Sequence, residues 1–207
     1  MSRPTLLVTG FEPFAGHAAN PAEEVAKALD GRAVAGAVVR SAVLPVRHAE
    51  AGPRVARLVE ETDPVAIVHL GLAAGRARIA LERVAVNVMD FDTPDNAGFR
   101  VHGQPCVPGG PAAYFATLPL AGILAALLAE GVPAYVSNTA GTYLCNQTLY
   151  ATLHLLTERR HPARAGFIHV PLLPSMVAAS GLEQPSMDAG LLVRAVEIAL
   201  GVVARAR

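Results

Sequence analysis

One cysteine and one histidine in this chain stand where side chains can do chemistry. Cys145 lies between a short apolar run, residues 134–136, and a long helical pattern, so we expect it at the N-terminus of a helix. The partial positive charge there favours the thiolate, which is the reactive form of cysteine. His169 ends a second apolar run, residues 166–170. A cysteine at a helix start and a histidine at a strand end are the parts of a thiol hydrolase.

The chain has seven histidines, and His169 is the best candidate for the base by position. His154 follows Cys145 on the same predicted helix, and at about 100° per residue it falls on the opposite face. His69 stands inside a buried strand, where a hydrogen-bonded core histidine is the expected structure. His17, in the first loop, stays open as a substrate contact. The remaining three are expected at the surface: His48, His102 and His161.

A catalytic histidine needs a third group that orients it. Glu82 is the most suggestive carboxylate, because it directly precedes a predicted strand, residues 83–89. A solvated acid at a strand start is the alternative interpretation. Asp90, Asp92 and Asp95 are rivals, although they stand in a polar loop where such residues usually form turns. Position alone leaves this choice open.

Composition excludes several other classes of protein. Hydrophobic residues make up 52% and charged residues 16%, which indicates a compact globular chain. The formal net charge of zero offers no surface for nucleic acid or acidic lipid. No dinucleotide, Walker A or zinc-binding pattern is present, so no metal or organic cofactor is predicted.

The chain also carries no pattern of export or of membrane insertion. The first apolar run, residues 5–8, is too short for a signal-peptide core, and the longest, residues 118–128, is too short for a membrane span. Two cysteines, Cys106 and Cys145, are too few for a disulfide framework. We therefore expect reduced thiols and a cytoplasmic protein.

Apolar runs alternate with helical patterns along most of the chain. Strands are predicted at residues 5–9, 38–46, 65–70, 83–89, 134–136 and 166–170. Helices are predicted at residues 21–29, 48–61, 145–160 and 186–205, with a further helical pattern at 111–130 that breaks near Pro119. This alternation predicts a three-layer α/β/α sandwich with a mostly parallel central sheet. We expect one domain over residues 1–207.

Ligands of such sheets bind beyond the carboxyl ends of the strands, where loops far apart in sequence can meet. Four features stand at such ends: residues 10–20, the loop after Gly71, residues 137–145 and His169. Phe11 and Phe14 in the first loop indicate the apolar wall of a pocket. The loop at residues 90–111 is long enough to be an interface or a cover.

Several ordered motifs cover almost the whole chain. They are residues 7–14 (LVTGFEPF), 20–21 (NP), 82–87 (ERVAVN), 94–96 (PDN), 110–119 (GPAAYFATLP), 137–146 (SNTAGTYLCN) and 166–171 (GFIHVP). With these motifs the chain resembles the type I pyroglutamyl peptidases, also called pyrrolidone-carboxylate peptidases. The resemblance implies a cysteine exopeptidase that removes N-terminal pyroglutamate from peptides through a thioacyl-enzyme. It also implies that no cofactor is needed and that the protein is a homo-oligomer, a dimer or a tetramer.

The resemblance assigns roles to particular residues. The catalytic cysteine, histidine and glutamate of the family match Cys145, His169 and Glu82. The expected substrate-binding positions are Phe11, Phe14, Asn20, Leu72 and Leu144. The phenylalanines would line the pocket for the lactam ring, and Asn20 would bind substrate or order the loop.

The chain departs from the family at two positions. Leu72 stands where many members have glutamine, and Asp92 stands where many have arginine. These departures keep open a binding protein that has the pocket without turnover. Another α/β enzyme, such as a nucleoside phosphorylase, is a second alternative, although the phenylalanine loop is a poor phosphate site.

Overall fold

The computed structural model describes residues 3–206. Its strands are β1 (Thr5–Phe11), β2 (Ala33–Val34), β3 (Ala37–Leu44), β4 (Ala66–Leu72), β5 (Ile79–Glu82), β6 (Val84–Val86), β7 (Ala113–Phe115), β8 (Ala134–Ser137) and β9 (Arg164–Val170). Its helices are α1 (Pro21–Leu29), α2 (His48–Thr62), α3 (Leu120–Ala129), α4 (Leu144–Glu158), α5 (Pro174–Ser180) and α6 (Ala189–Arg205).

Seven strands form the central sheet, in the order β2-β3-β1-β4-β9-β5-β8. Neighbouring strands are parallel except β2 with β3 and β5 with β9. The central strands β1, β4 and β9 are buried on both faces, which explains their continuous apolar runs. The carboxyl ends of these three strands lie at one edge, and the loops that follow them meet there.

Helices cover both faces of this sheet and bury one apolar core on each. One core packs α1, α3 and α6 against the side chains of one face, including Val8, Val68 and Ile168. The other packs α2 and α4 against the opposite face, including Ile67 and Phe167. The predicted α/β fold, with three layers and a mostly parallel sheet, is confirmed.

Two predicted elements differ from the structure. The strand expected at residues 83–89 is only the short β6, and β5, which ends just before it, was not predicted. β5 ends at Glu82 inside the central sheet, whereas β6 leaves it and pairs with β7 in a separate two-stranded sheet. β5 is buried on both faces, whereas β6 is buried on one face. Only β6 therefore shows the alternation of buried and more exposed residues that the sequence predicts.

Helix boundaries were predicted best where capping chemistry is clear. Asn20 caps α1, because its Oδ1 accepts a hydrogen bond from the Ala22 amide at 3.0 Å. The helical pattern at residues 111–130 was wrong in its first part, which is β7, and α3 begins only after Pro119. Within residues 3–206, no helix is both long and apolar enough to cross a membrane.

Candidate active site

Glu82 and His169 form a buried pair at the carboxyl edge of the sheet. The register of β5 and β9 pairs Ala80 with His169 and Glu82 with Phe167, so Glu82 and His169 lie diagonally on the same face. His169 Nδ1 donates to Glu82 Oε1 at 2.8 Å. Glu82 is fully buried. The carboxylate therefore fixes the imidazole ring and leaves Nε2 available for chemistry.

The charges of this pair are tuned by its neighbours. Burial raises the pKa of Glu82, but His169, then the Ser137 hydroxyl and then the Arg76 guanidinium outweigh it and lower that pKa overall. Burial lowers the pKa of His169, and the Glu82 carboxylate only partly opposes this effect. Glu82 is consequently ionised, and His169 is a neutral base that can accept a proton.

The rival carboxylates act elsewhere. Asp90 pairs with exposed His102 at 2.8 Å. Asp95 is buried and accepts hydrogen bonds from His48 and from the amides of Ala97 and Phe99, so it orders its own loop. Asp92 is exposed, and its carbonyl oxygen accepts from the Arg100 guanidinium.

Cys145 is the second residue of α4. The N-cap, Tyr143, has extended backbone and gives the helix no side-chain hydrogen bond. The first amides of a helix have no partner within it, so those around Cys145 point toward any group bound before the helix. This end of α4 can stabilise a negative charge on a carbonyl oxygen next to the thiol.

Gly71 on β4 is a neighbour of both the thiol and the base. Gly71 pairs with His169 across β4 and β9. A Cβ placed on Gly71 would come within 3.0 Å of the Cys145 Sγ and 2.7 Å of the Phe167 ring. Within residues 3–206, Sγ forms no hydrogen bond with the imidazole, and such contacts often tighten only when substrate binds.

Burial opposes the thiolate that the helix start favours. Burial and the charge of Glu82 raise the pKa of the Cys145 thiol above its usual range, and Arg76 only partly offsets them. The helix terminus and Arg76 favour the thiolate, whereas burial and Glu82 favour the protonated thiol.

Gly71 gives a direct test of this spacing. We expect Gly71→Ala to lower kcat/KM by about 100-fold, because displacement of a reacting group by about 1 Å typically costs that much. The loss should exceed that of Gly36→Ala, a substitution in the turn between β2 and β3 where no atom lies within 4 Å of the new Cβ. Gly36 has a positive φ of 86°, so this control carries backbone strain away from the site. Equal kcat/KM for Gly71→Ala and the unmodified chain would contradict the spacing.

A narrow apolar recess leads to Cys145. The recess encloses about 10 Å³, and the empty space including its open mouth is about 240 Å³. All five predicted substrate-binding residues line it, namely Phe11, Phe14, Asn20, Leu72 and Leu144. The other lining residues are Val46, Gly71, Tyr143 and Cys145. None of these lining residues is charged. Larger recesses lie elsewhere, such as one between Gly36 and Val203, but that one has no cysteine or histidine in its lining.

The lining residues differ in what they can offer a ligand. Phe11 is buried and stacks on Phe167, with ring centroids 6.4 Å apart, so it forms a fixed wall. Asn20 caps α1 with Oδ1 and donates from Nδ2 to the Glu12 carbonyl at 3.1 Å, so its amide orders the first loop. Leu72 and Leu144 are buried apolar side chains.

Tyr143 is a lining residue that sequence reasoning missed. Its ring stacks on Phe14 with centroids 6.0 Å apart and meets Phe91 edge-on at 4.6 Å. Its hydroxyl donates to the Pro94 carbonyl at 3.2 Å. Tyr143 thus joins the first loop to the loop at residues 90–111. The only available signal was an aromatic residue just before a helix start.

Arg76 was also missed. Its Nη1 donates to Glu82 Oε1 at 2.9 Å, the same oxygen that binds His169. Its side chain is 29% exposed. A lone arginine in a glycine-containing loop gives no sequence signal for this contact.

The second cysteine and the core histidine have structural surroundings. Cys106 Sγ lies 3.5 Å from the Val88 carbonyl, and burial raises the pKa of this thiol to about 11. His69 is fully buried between Thr9 and Thr152, as expected for a hydrogen-bonded core histidine. In the part of the chain that the structure describes, no three His, Cys, Asp or Glu side chains cluster as metal ligands.

Comparisons with known proteins agree with this geometry. The profile of the pyroglutamyl peptidase family matches residues 4–206. A pyrrolidone-carboxylate peptidase of Pyrococcus furiosus is 44% identical over 200 residues, which cover 95% of this chain and 96% of the relative. One of Deinococcus radiodurans is 48% identical over 186 residues, 89% and 85% of the two chains.

Solved structures give the same result. Pyrrolidone carboxyl peptidase from the hyperthermophile Pyrococcus furiosus, whose crystal structures include a cysteine-free mutant, superimposes with a TM-score of 0.93 at 43% sequence identity. The match covers 96% of this chain and 97% of the other. The family profile and these relatives span nearly the full chain, and the chain belongs to the pyroglutamyl peptidase family.

Proposed function

We propose that this protein is a cysteine exopeptidase that removes N-terminal pyroglutamate from peptides. The observation that carries the proposal is an uncharged recess that ends at Cys145 and Gly71, where Gly71 pairs across the sheet with a histidine that Glu82 orients. A pyroglutamyl group is a small cyclic lactam without a charged amine. An apolar lining suits the chemistry of that group, whereas an ordinary aminopeptidase needs a carboxylate to hold a free amino terminus.

The proposed reaction has two steps. His169 takes the proton of the Cys145 thiol as the sulfur attacks the pyroglutamyl carbonyl, and the oxyanion faces the first amides of α4. The imidazolium then donates this proton to the departing amine, and a thioester on Cys145 remains. Water, activated by His169, then hydrolyses the thioester and releases pyroglutamate. Glu82 holds the ring orientation and stabilises the imidazolium in both steps.

Specificity would come from the lactam. The rings of Phe11, Phe14 and Tyr143 bound a slot for a flat five-membered ring, and backbone groups there would bind the lactam N–H and C=O. A site built around such hydrogen bonds rejects an analogue that lacks them, because its own polar groups stay unpaired. Proline lacks the lactam carbonyl and carries a charged nitrogen.

The test is release of a fluorophore from a pyroglutamyl amide beside the matching prolyl amide. We expect kcat/KM for the pyroglutamyl substrate to be higher by about 10⁴-fold. Comparable rates for both substrates would contradict the proposed specificity. Binding of pyroglutamate without any turnover would favour a binding protein, and turnover that requires inorganic phosphate would favour a phosphorylase.

The proposal also covers assembly and location. We propose that the whole chain acts as one catalytic domain, in a cytoplasmic homo-oligomer, a dimer or a tetramer. The zero net charge gives little electrostatic protection against self-association. Two free thiols, Cys106 and Cys145, suit a reducing compartment. Light scattering of the purified protein measures the assembly.

A further inference from the structure

We propose that Arg76 is a positioning residue that shares the Glu82 carboxylate with His169 and so limits how firmly the imidazole holds a proton. This inference rests on the proposed function of the same site. Arg76 places a fixed positive charge beside the group formed by Cys145, His169 and Glu82. Arg76 acts through Glu82 and is absent from the lining of the substrate recess.

The geometry of the carboxylate carries the inference. Two donors converge on Glu82 Oε1: Arg76 Nη1 at 2.9 Å and His169 Nδ1 at 2.8 Å. The second oxygen, Oε2, is buried and accepts no hydrogen bond of normal geometry, because the nearby Ser137 hydroxyl donates to the Thr139 carbonyl at 3.1 Å. Glu82 is fully buried, so water does not screen this contact well. Glu82 Oε1 thus accepts hydrogen bonds from both the permanently charged Arg76 and the base His169.

The loop that carries Arg76 is built to deliver it. β4 ends at Leu72, and the chain turns back, with the Arg76 amide donating to the Ala73 carbonyl at 3.3 Å. Gly75 has a positive φ of 80°, a conformation that glycine adopts without a steric cost. The turn brings the guanidinium from beyond the end of β4 to the end of β5.

The charged and titratable groups around His169 come from four elements. Glu82 on β5 opposes loss of the imidazole proton, and Arg76 favours it. Cys145 on α4 is the proton donor in the reaction. His69 on β4 is fully buried, with Phe167 of β9 beside both histidine rings. Arg76 is therefore the one described cation that acts on both His169 and Cys145.

The sign of the effect follows from these charges. Without the guanidinium, Glu82 acts on His169 unopposed, and the imidazolium becomes more stable. As the pH falls, neutral His169 then becomes protonated at a higher pH than in the unmodified protein. The acid limb of kcat/KM, which reports the free enzyme, should move to higher pH. KM for the pyroglutamyl amide should change little, since Arg76 does not line the recess.

Two substitutions at Arg76 separate charge from hydrogen bonding. Arg76→Gln keeps a donor for Glu82 but removes the charge, whereas Arg76→Lys keeps the charge. Arg78→Ala is the matched control, because Arg78 is in the same loop but lies over the Tyr135 ring, 4.5 Å from its centroid. It removes the same net charge without touching the carboxylate.

The experiment measures kcat/KM of these three variants from pH 5 to 9 and follows the His169 ring by NMR titration, assigned with His169→Asn. We expect Arg76→Gln to raise both midpoints by about 1 pH unit. Arg76→Lys and Arg78→Ala should stay near the unmodified protein. Unmoved midpoints in Arg76→Gln, or an equal shift in Arg78→Ala, would overturn the inference.

The NMR titration needs no substrate and therefore separates the two proposals. If the unmodified protein releases no pyroglutamate but the His169 midpoint still rises in Arg76→Gln, the positioning role stands and the proposed function fails. If turnover is normal and the midpoint does not move, the proposed function stands and Arg76 has only a structural role.

Discussion

Cys145→Ala should reduce pyroglutamyl amide hydrolysis to background, a loss on the order of 10⁶-fold in kcat. The other nucleophilic side chain of the recess lining is Tyr143, whose hydroxyl donates to the Pro94 carbonyl and whose pKa burial raises to about 12, so it does not replace the thiol. Water alone cannot replace the thiol, because the proposed path passes through a thioester. The helix terminus and the base would remain, but they would have no sulfur to act on.

Cys106→Ser is the matched control for this substitution. Cys106 is also a half-buried thiol, but its sulfur contacts the carbonyls of Val86 and Val88 and lies outside the recess. We expect Cys106→Ser to keep kcat within about twofold, in line with a surface or structural position. Iodoacetamide should still inactivate this variant.

Thermal unfolding of both variants checks that the fold survives. Alanine at position 145 removes one sulfur atom from a half-buried site, so the midpoint of unfolding should change little. Full hydrolysis by Cys145→Ala would end the thiol mechanism. Protection of Cys106→Ser from iodoacetamide would mean that Cys106 is the reactive thiol.

Parts of the fold were predictable because local chemistry determines them. The start of α1 needs Asn20 as a cap and Pro21 at the first position, and both are visible in the sequence. The strand after residue 78 was not predictable in the same way. β5 is antiparallel to β9 in an otherwise parallel region, and no local pattern marks the point where β6 leaves the sheet.

In the candidate site, too, some residues are recognisable from local sequence and others are not. Cys145 and His169 stand at element ends, so position alone singles them out, and the family motif adds Glu82. Arg76 and Tyr143 reach the site through long-range contacts, to Glu82 and to Pro94 respectively. Such contacts depend on how loops fold back over the sheet, which spacing along the chain does not encode. The burial that raises the pKa of the Cys145 thiol is likewise a property of the folded state.

Glu82→Gln should lower kcat by about 10⁴-fold at neutral pH, with the fold retained. Glutamine has nearly the same shape, but it is uncharged and no longer stabilises the imidazolium that forms during attack. It can also present its amide N–H₂ to the ring, which would leave His169 protonated on the wrong nitrogen. Glu82→Asp keeps the charge with a shorter reach and should lose less. Activity of Glu82→Gln near that of the unmodified protein would remove Glu82 from the mechanism.

The residual activity of Glu82→Gln should also show a displaced pH profile. The carboxylate raises the pKa of His169, so its loss lets the neutral base persist to lower pH. The acid limb of kcat/KM should therefore move to lower pH, the opposite of the shift expected for Arg76→Gln. Glu82 and Arg76 form one hydrogen-bonded pair. Opposite shifts of the acid limb in Glu82→Gln and Arg76→Gln, measured with the same substrate, would show that the net charge of this pair sets the basicity of His169. Shifts in the same direction would instead indicate a general loss of site geometry in both variants.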